Sequence, residues 1–178
     1  MVRIYLIGYM GVGKTTVGKK LAKSFDIGFI DLDKFIESKY HKTVPEIFAE
    51  WGESEFRSIE QKSLKEVSEI ENVVISTGGG APCFFDNIGL MNRTGITVYI
   101  HAEPEELAAR LRASKTVRPV VSGKSGEELT SFIASHLLER EKFYKQARIV
   151  CKTDHLITRG DVYLTVDRIA NEIKKLQK

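Results

Sequence analysis

Residues 8–15 read Gly-Tyr-Met-Gly-Val-Gly-Lys-Thr, which fits G-x-x-x-x-G-K-[ST], and few eight-residue stretches constrain a fold so tightly. The pattern works only between a strand and a helix. Its glycines let backbone N–H groups close around phosphate oxygens, while the helix N-terminus adds partial positive charge. Both flanks are present: Arg3–Ile7 is a short apolar run suited to a buried strand, and Thr15–Phe25 carries Val17, Leu21 and Phe25 at a helical repeat. With glycine near 7% of residues, four fixed positions match by chance about once in a hundred chains. The pattern predicts a nucleoside-triphosphate site in which Gly11, Val12, Gly13, Lys14, Thr15 and Thr16 surround the phosphates. Lys14 reaches the β- and γ-phosphates, and the Thr15 hydroxyl is placed to ligate Mg²⁺. The plain alternative is a glycine turn that binds nothing.

The rest of the chain alternates in the same manner. Phe29–Leu32, Val73–Ser76, Thr97–His101 and Ile149–Lys152 read as further strands. Helices are expected from Asp33, over Val44–Trp51 with Gly52 as a stop, and onward from a Ser54 cap through Phe56, Ile59, Leu64 and Val67. Others are expected over Pro104–Arg112, Glu127–Ala147 and Asp161–Gln177. Five strands alternating with helices predict an α/β fold, a three-layer α/β/α domain around a five-stranded parallel sheet. At 178 residues the chain is about one domain, here 1–178. Residues 113–126, ASKTVRPVVSGKSG, have few apolar anchors and are expected to form a mobile lid.

Several residues carry chemistry the phosphate loop does not supply. Asp31-Leu32-Asp33 closes the second strand, and ligands of open α/β sheets bind beyond the carboxyl ends of strands. Asp31 is placed to hold a Mg²⁺-bound water and Asp33 to orient or deprotonate a substrate hydroxyl, unless Asp33 only caps a helix. Arg57 falls in the first turn after the Ser54 cap, where a cation is disfavoured. It suits an incoming anion, or else an exposed salt bridge. Arg140 stands on the apolar stripe of Leu129, Phe132, Ile133, Leu137 and Tyr144, where an inward guanidinium needs either a ligand anion or an internal Glu. Gly78, Gly79 and Gly80 remove side chains at the end of the strongest strand, which fits close approach of a substrate as well as a plain turn. Arg118 is a permanent cation on the expected lid, able to stabilise a transferring phosphoryl group, or simply solvated.

The ordered set GYMGVGKT at 8–15, DLD at 31–33, GESEFR at 52–57, STGGGA at 76–81, RP at 118–119 and REKFY at 140–144 resembles the shikimate kinase family. That family belongs to the nucleoside-monophosphate-kinase branch of P-loop proteins. The resemblance implies ATP-dependent phosphorylation of shikimate at its 3-hydroxyl, with Mg²⁺, in aromatic amino-acid biosynthesis. It implies that Asp33, Arg57, Gly79 and Arg140 hold shikimate, the first two within a substrate-binding segment at 32–60. It also implies that Arg118 contacts ATP, that Thr15 serves Mg²⁺, and that Asp31 does so through water. Lys14, Asp33 and Arg118 are then the expected catalytic residues.

Three rival readings compete for the same residues. A gluconate kinase would share the phosphate loop but not GESEFR, TGGG and REKFY together. A GTPase would need an Asn-Lys-x-Asp guanine reader, which the sequence lacks, although Asp86-Asn87-Ile88-Gly89 spells D-x-x-G. A nucleotide-binding regulatory module without turnover is the third alternative. The net charge of +3 carries no basic stripe, so no nucleic-acid partner is expected. No apolar run approaches about 18 residues, so no membrane partner is expected. Cys83 and Cys151 form no CxxC pair, which fits a cytoplasmic protein, expected to be a monomer.

Overall fold

The computed structural model describes residues 2–113, 126–153 and 158–176. Arg118 and nearly all of the expected lid lie outside the described residues. Five parallel strands, β1 (Arg3–Ile7), β2 (Gly28–Asp31), β3 (Val73–Ser76), β4 (Ile96–His101) and β5 (Ile149–Lys152), form one sheet in the order β2-β3-β1-β4-β5. The helices are α1 (Lys14–Phe25), α2 (Leu32–Tyr40), α3 (Val44–Val67), α4 (Asn87–Thr94), α5 (Pro104–Ala113), α6 (Gly126–Tyr144) and α7 (Arg159–Leu176). β1 and β3 are apolar almost throughout because helices cover a parallel sheet on both faces. Ile4, Leu6 and Ile7 are fully buried, as are Val17 and Leu21 of α1 and Leu64 and Val67 of α3.

Register decides where the site can be. Leu6 and Asp31 both pair with Ser76, so β1, β2 and β3 end at one level. Two residues beyond that level stand Gly8, Asp33 and Gly78. The phosphate loop, the start of α2 and the glycine run therefore leave the sheet side by side. Thr77 fastens the middle of this edge: both its N–H and its hydroxyl donate to the Leu6 carbonyl, each at 3.2 Å.

Local chemistry explains most helix limits, and corrects some expectations. Asp31, not Asp33, caps α2, accepting from the Lys34 N–H at 3.3 Å, and Asp33 stands in the first turn. α3 starts in a capping box in which Thr43 and Glu46 each accept from the other's backbone N–H. The expected stop at Gly52 is present: Gly52 takes φ 80 and ψ 172, which divides α3 into two helices, and the second begins at once. Ser54 therefore lies inside the helical run and is not its cap. The helix expected to reach Ala147 ends at Tyr144, and α4, with Gly89 in its apolar pattern and no side-chain cap, carries no strong sequence signal.

Candidate active site

Gly8, Gly11 and Gly13 take φ of 140°, 80° and 100°, the left-handed side that only glycine enters at little cost, and the loop can then turn tightly into α1. A side chain at Gly8 would also put its Cβ 2.4 Å from the Ile100 carbonyl oxygen. Lys14 is almost buried, and its ammonium donates to the carbonyls of Gly8 at 2.8 Å and Tyr9 at 2.9 Å. The Thr15 hydroxyl donates to Asp31 Oδ2 at 2.8 Å, which joins the start of α1 to the end of β2. These residues, with Gly11, Gly13 and Thr16, open onto a cleft of about 310 Å³ whose far wall is Asp33, Gly78 and Gly79. Val12 is not on the lining. It is buried, and its carbonyl accepts from Arg110 Nη1 at 3.0 Å.

The glycine run forms the opposite half: Gly78 and Gly80 clear space for charged side chains, and Gly79 for the backbone of the phosphate loop. A Cβ on Gly78 would fall 3.0 Å from both Asp33 Oδ1 and Glu60 Oε1. On Gly79 it would fall 3.2 Å from the Met10 nitrogen and 3.6 Å from Arg140 Nη1. On Gly80 it would fall 2.6 Å from Arg57 Nη2. Three adjacent residues without side chains thus let two carboxylates and two guanidinia crowd one stretch of backbone. A plain turn would not need all three.

Arg57 is buried, contrary to the exposed salt bridge that was one reading of it. Its guanidinium stacks 4.1 Å from the Phe84 ring centroid and donates to Glu60 at 2.8 Å and to Glu53 at 3.0 and 3.2 Å. The two partners differ: the Glu53 side chain is 59% exposed and that of Glu60 only 1%. An arriving anion can take the place of Glu53, while Glu60 stays to hold the guanidinium. Burial pushes the Glu60 carboxyl up to about 7 against the opposing pull of Arg57, and the Asp33 charge raises it further. Arg140 makes no ion pair among the described residues, so the internal Glu partner is absent there. It lies 5.8 Å from the centroid of the Tyr9 ring, whose hydroxyl is hydrogen-bonded to His136 Nδ1 at 3.0 Å.

Three participants were not singled out from the sequence. Glu60 is the inner partner of Arg57, and its signal was the i, i+3 spacing of an acid and a base on one helix. Arg110 lines the cleft beside the phosphate loop while pairing with Glu106, which reads in sequence as an ordinary i, i+4 surface pair. Tyr144 donates to the Gly79 carbonyl at 2.5 Å, a contact across 65 residues that no local pattern announces.

One wall of the cleft offers the Lys14 ammonium and the glycine loop, which suit phosphate oxygens, and the other offers the Asp33 carboxylate, which suits a hydroxyl donor. The shikimate kinase family model matches residues 10–175 and so runs through both walls. The chain is 53% identical over 176 residues to a shikimate kinase of Parabacteroides distasonis, covering 99% of each. The crystal structure of shikimate kinase from Bacteroides thetaiotaomicron superposes with a TM-score of 0.93 at 50% identity, covering 97% of this chain and 98% of that one. Shikimate kinase from Acinetobacter baumannii in complex with shikimate gives 0.87 at 32% identity, over 98% of this chain and 94% of that one. Likeness confined to the phosphate loop would mark only a nucleotide binder; extending as it does across the glycine run to the last helix, it makes this chain a member of the shikimate kinase family.

Proposed function

We propose that the chain transfers the γ-phosphate of ATP to the 3-hydroxyl of shikimate. The observation that carries this reading is the glycine run at 78–80, against which Asp33, Glu60, Arg57 and Arg140 converge within reach of the phosphate loop. Shikimate has one carboxylate and three hydroxyls, and two guanidinia with a carboxylate answer that pattern. Arg57 and Arg140 bind the carboxylate. Asp33 accepts a hydrogen bond from the 3-hydroxyl and orients its oxygen towards the γ-phosphorus. As the new P–O bond forms, the bond to the β-phosphate oxygen breaks, ADP leaves, and the hydroxyl proton passes to Asp33. Phosphoryl transfer asks mainly for positioning and charge neutralisation, and Lys14 supplies charge beside the β- and γ-phosphates by leaving its loop carbonyls.

The donor set suits Mg²⁺. Thr15 Oγ1 and the Asp31 carboxylate are hard oxygens 2.8 Å apart, and Mg²⁺ is usually bound by one or two protein oxygens together with phosphates and water. When bound, the ion neutralises charge on the phosphate oxygens. Thr15 is placed to ligate it directly and Asp31 through water. The reading includes a monomeric cytoplasmic enzyme acting on small molecules alone; the unpaired thiols of Cys83 and Cys151 support the location. No described helix is long and apolar enough to cross a membrane. ADP release measured in parallel with shikimate, gluconate and nucleoside monophosphates tests the substrate: shikimate alone should stimulate it, and equal or greater stimulation by another acceptor would overturn the reading.

A further inference from the structure

Behind the acceptor wall lies a buried hydroxyl that the reaction as described leaves without a role. Tyr144 closes α6 and is fully buried, its ring tilted 37° against that of Tyr99 at a centroid distance of 5.0 Å. Its hydroxyl donates to the carbonyl of Gly79 at 2.5 Å. A trans peptide is planar, so a fixed Gly79 carbonyl fixes the Gly80 N–H on the opposite side of the same plane. One helical turn earlier stands Arg140, with Nη1 3.6 Å from where a Gly79 Cβ would be and its charge acting on the Tyr144 hydroxyl. A glycine run gains room for charged neighbours at the expense of backbone stiffness. Something outside the run has to restore a single conformation. The Tyr144 hydroxyl is the side-chain group that does so at Gly79, and burial raises its pKa, so it remains a donor throughout the neutral range.

We propose that Tyr144 is a positioning residue for the acceptor: its hydroxyl locks the Gly79–Gly80 peptide and thereby sets the distance between that backbone and Arg140. The inference rests on the shikimate reading of the site. Its consequence is selective. Losing the hydroxyl loosens the wall that meets shikimate, while the phosphate loop, held by its own glycines and by Lys14, keeps its geometry.

The cluster contains its own control. Tyr99 packs against Tyr144, and its hydroxyl has no hydrogen-bond partner among the described residues. Tyr144→Phe and Tyr99→Phe each delete one buried hydroxyl from the same aromatic pair, and steady-state kinetics is run on both and on the unchanged chain, with both substrates varied. Tyr144→Phe should raise the KM for shikimate about tenfold and leave the KM for ATP within about twofold, since tenfold corresponds to one ordinary hydrogen bond. Tyr99→Phe should leave both unchanged. Unaltered shikimate KM in Tyr144→Phe, or equal rises in the two KM values, would overturn the proposal, as would the same selective rise in Tyr99→Phe. Should Tyr144→Phe not fold, 3,5-difluorotyrosine at 144 keeps ring and hydroxyl while altering donor strength. A change confined to the shikimate KM then supports the role, and no change or a common change overturns it. An unchanged chain that shows no shikimate-dependent ADP release removes the underlying reading, and the proposal with it, whereas a normal unchanged chain beside a normal Tyr144→Phe removes the proposal alone.

Discussion

The two walls of the cleft are built on different principles. The phosphate wall is one continuous stretch, residues 8–16, shaped by positive-φ glycines and by backbone carbonyls that hold Lys14. The proposed acceptor wall has no continuous stretch at all. Asp33 comes from α2, Arg57 and Glu60 from α3, Arg140 and Tyr144 from α6, and what joins them is a glycine run at the end of β3. A group shared by all nucleoside triphosphates can be met by a local backbone device, since its shape never changes. A particular small acid must be met by side chains set at chosen distances, which only tertiary packing supplies. The first wall should fail in turnover when damaged, and the second in affinity for the acceptor.

Lys14→Ala offers the largest expected effect and the sharpest test of the phosphate wall. Turnover should fall about 100- to 1,000-fold, the range for losing one charge-stabilising donor, while calorimetry should find shikimate affinity within about twofold. A comparable loss of shikimate affinity would mean that the walls are not separable.

Gly80→Ala attacks the other wall from its backbone. The added Cβ would fall 2.6 Å from Arg57 Nη2, and the guanidinium, being the far end of a flexible side chain, would yield before the backbone does. The fold should persist while the shikimate KM rises up to about 100-fold, the upper range for losing a charged hydrogen bond. A KM for ATP that rises equally would show that the glycine run also serves the nucleotide. Arg140→Ala should weaken shikimate binding about ten- to a hundredfold with nucleotide affinity intact, and unchanged shikimate affinity in calorimetry would remove Arg140 from the site.

The smallest effect concerns stability. Glu60 titrates near 7 in the folded protein against an ordinary value of 4.5, so between those pH values the folded chain holds more proton than the unfolded one. Stability from this group is then present at the acid end and falls as pH rises through the window, by at most about 1.4 kcal/mol per unit. Urea unfolding at pH 5 and pH 7.5 should show the fall in the unchanged chain and a shallower one in Glu60→Gln. Identical slopes would mean that Glu60 stays ionised, held by Arg57.

The same contrast explains what the sequence disclosed. The parallel sheet and the phosphate loop were legible because strand–glycine–helix is a local grammar, and β1, β3 and β5 fall where apolar runs place them. Arg140 drew attention because it breaks a local rule, a cation on an apolar stripe; Arg57 drew it on the premise of a Ser54 cap, which the helix starting after Gly52 does not bear out. Glu60 and Tyr144 break none: an acid three residues from an arginine and a tyrosine on an apolar stripe are ordinary. The partner of Tyr144 is set by where Gly79 leaves the sheet, a matter of register, and Glu60 stands out only through the burial that tertiary packing gives it. α4 was missed for a different reason, since Asp86 gives it no side-chain cap and Gly89 interrupts its pattern.

Correlated ³¹P–¹H spectra of the product, recorded after incubation of the chain with ATP, Mg²⁺ and shikimate, test the central claim most directly. Transfer oriented by Asp33 predicts one new phosphorus signal coupled to the proton on carbon 3 of shikimate, appearing in step with ADP. Free phosphate as the sole new signal, or coupling to a proton on another carbon, would contradict it.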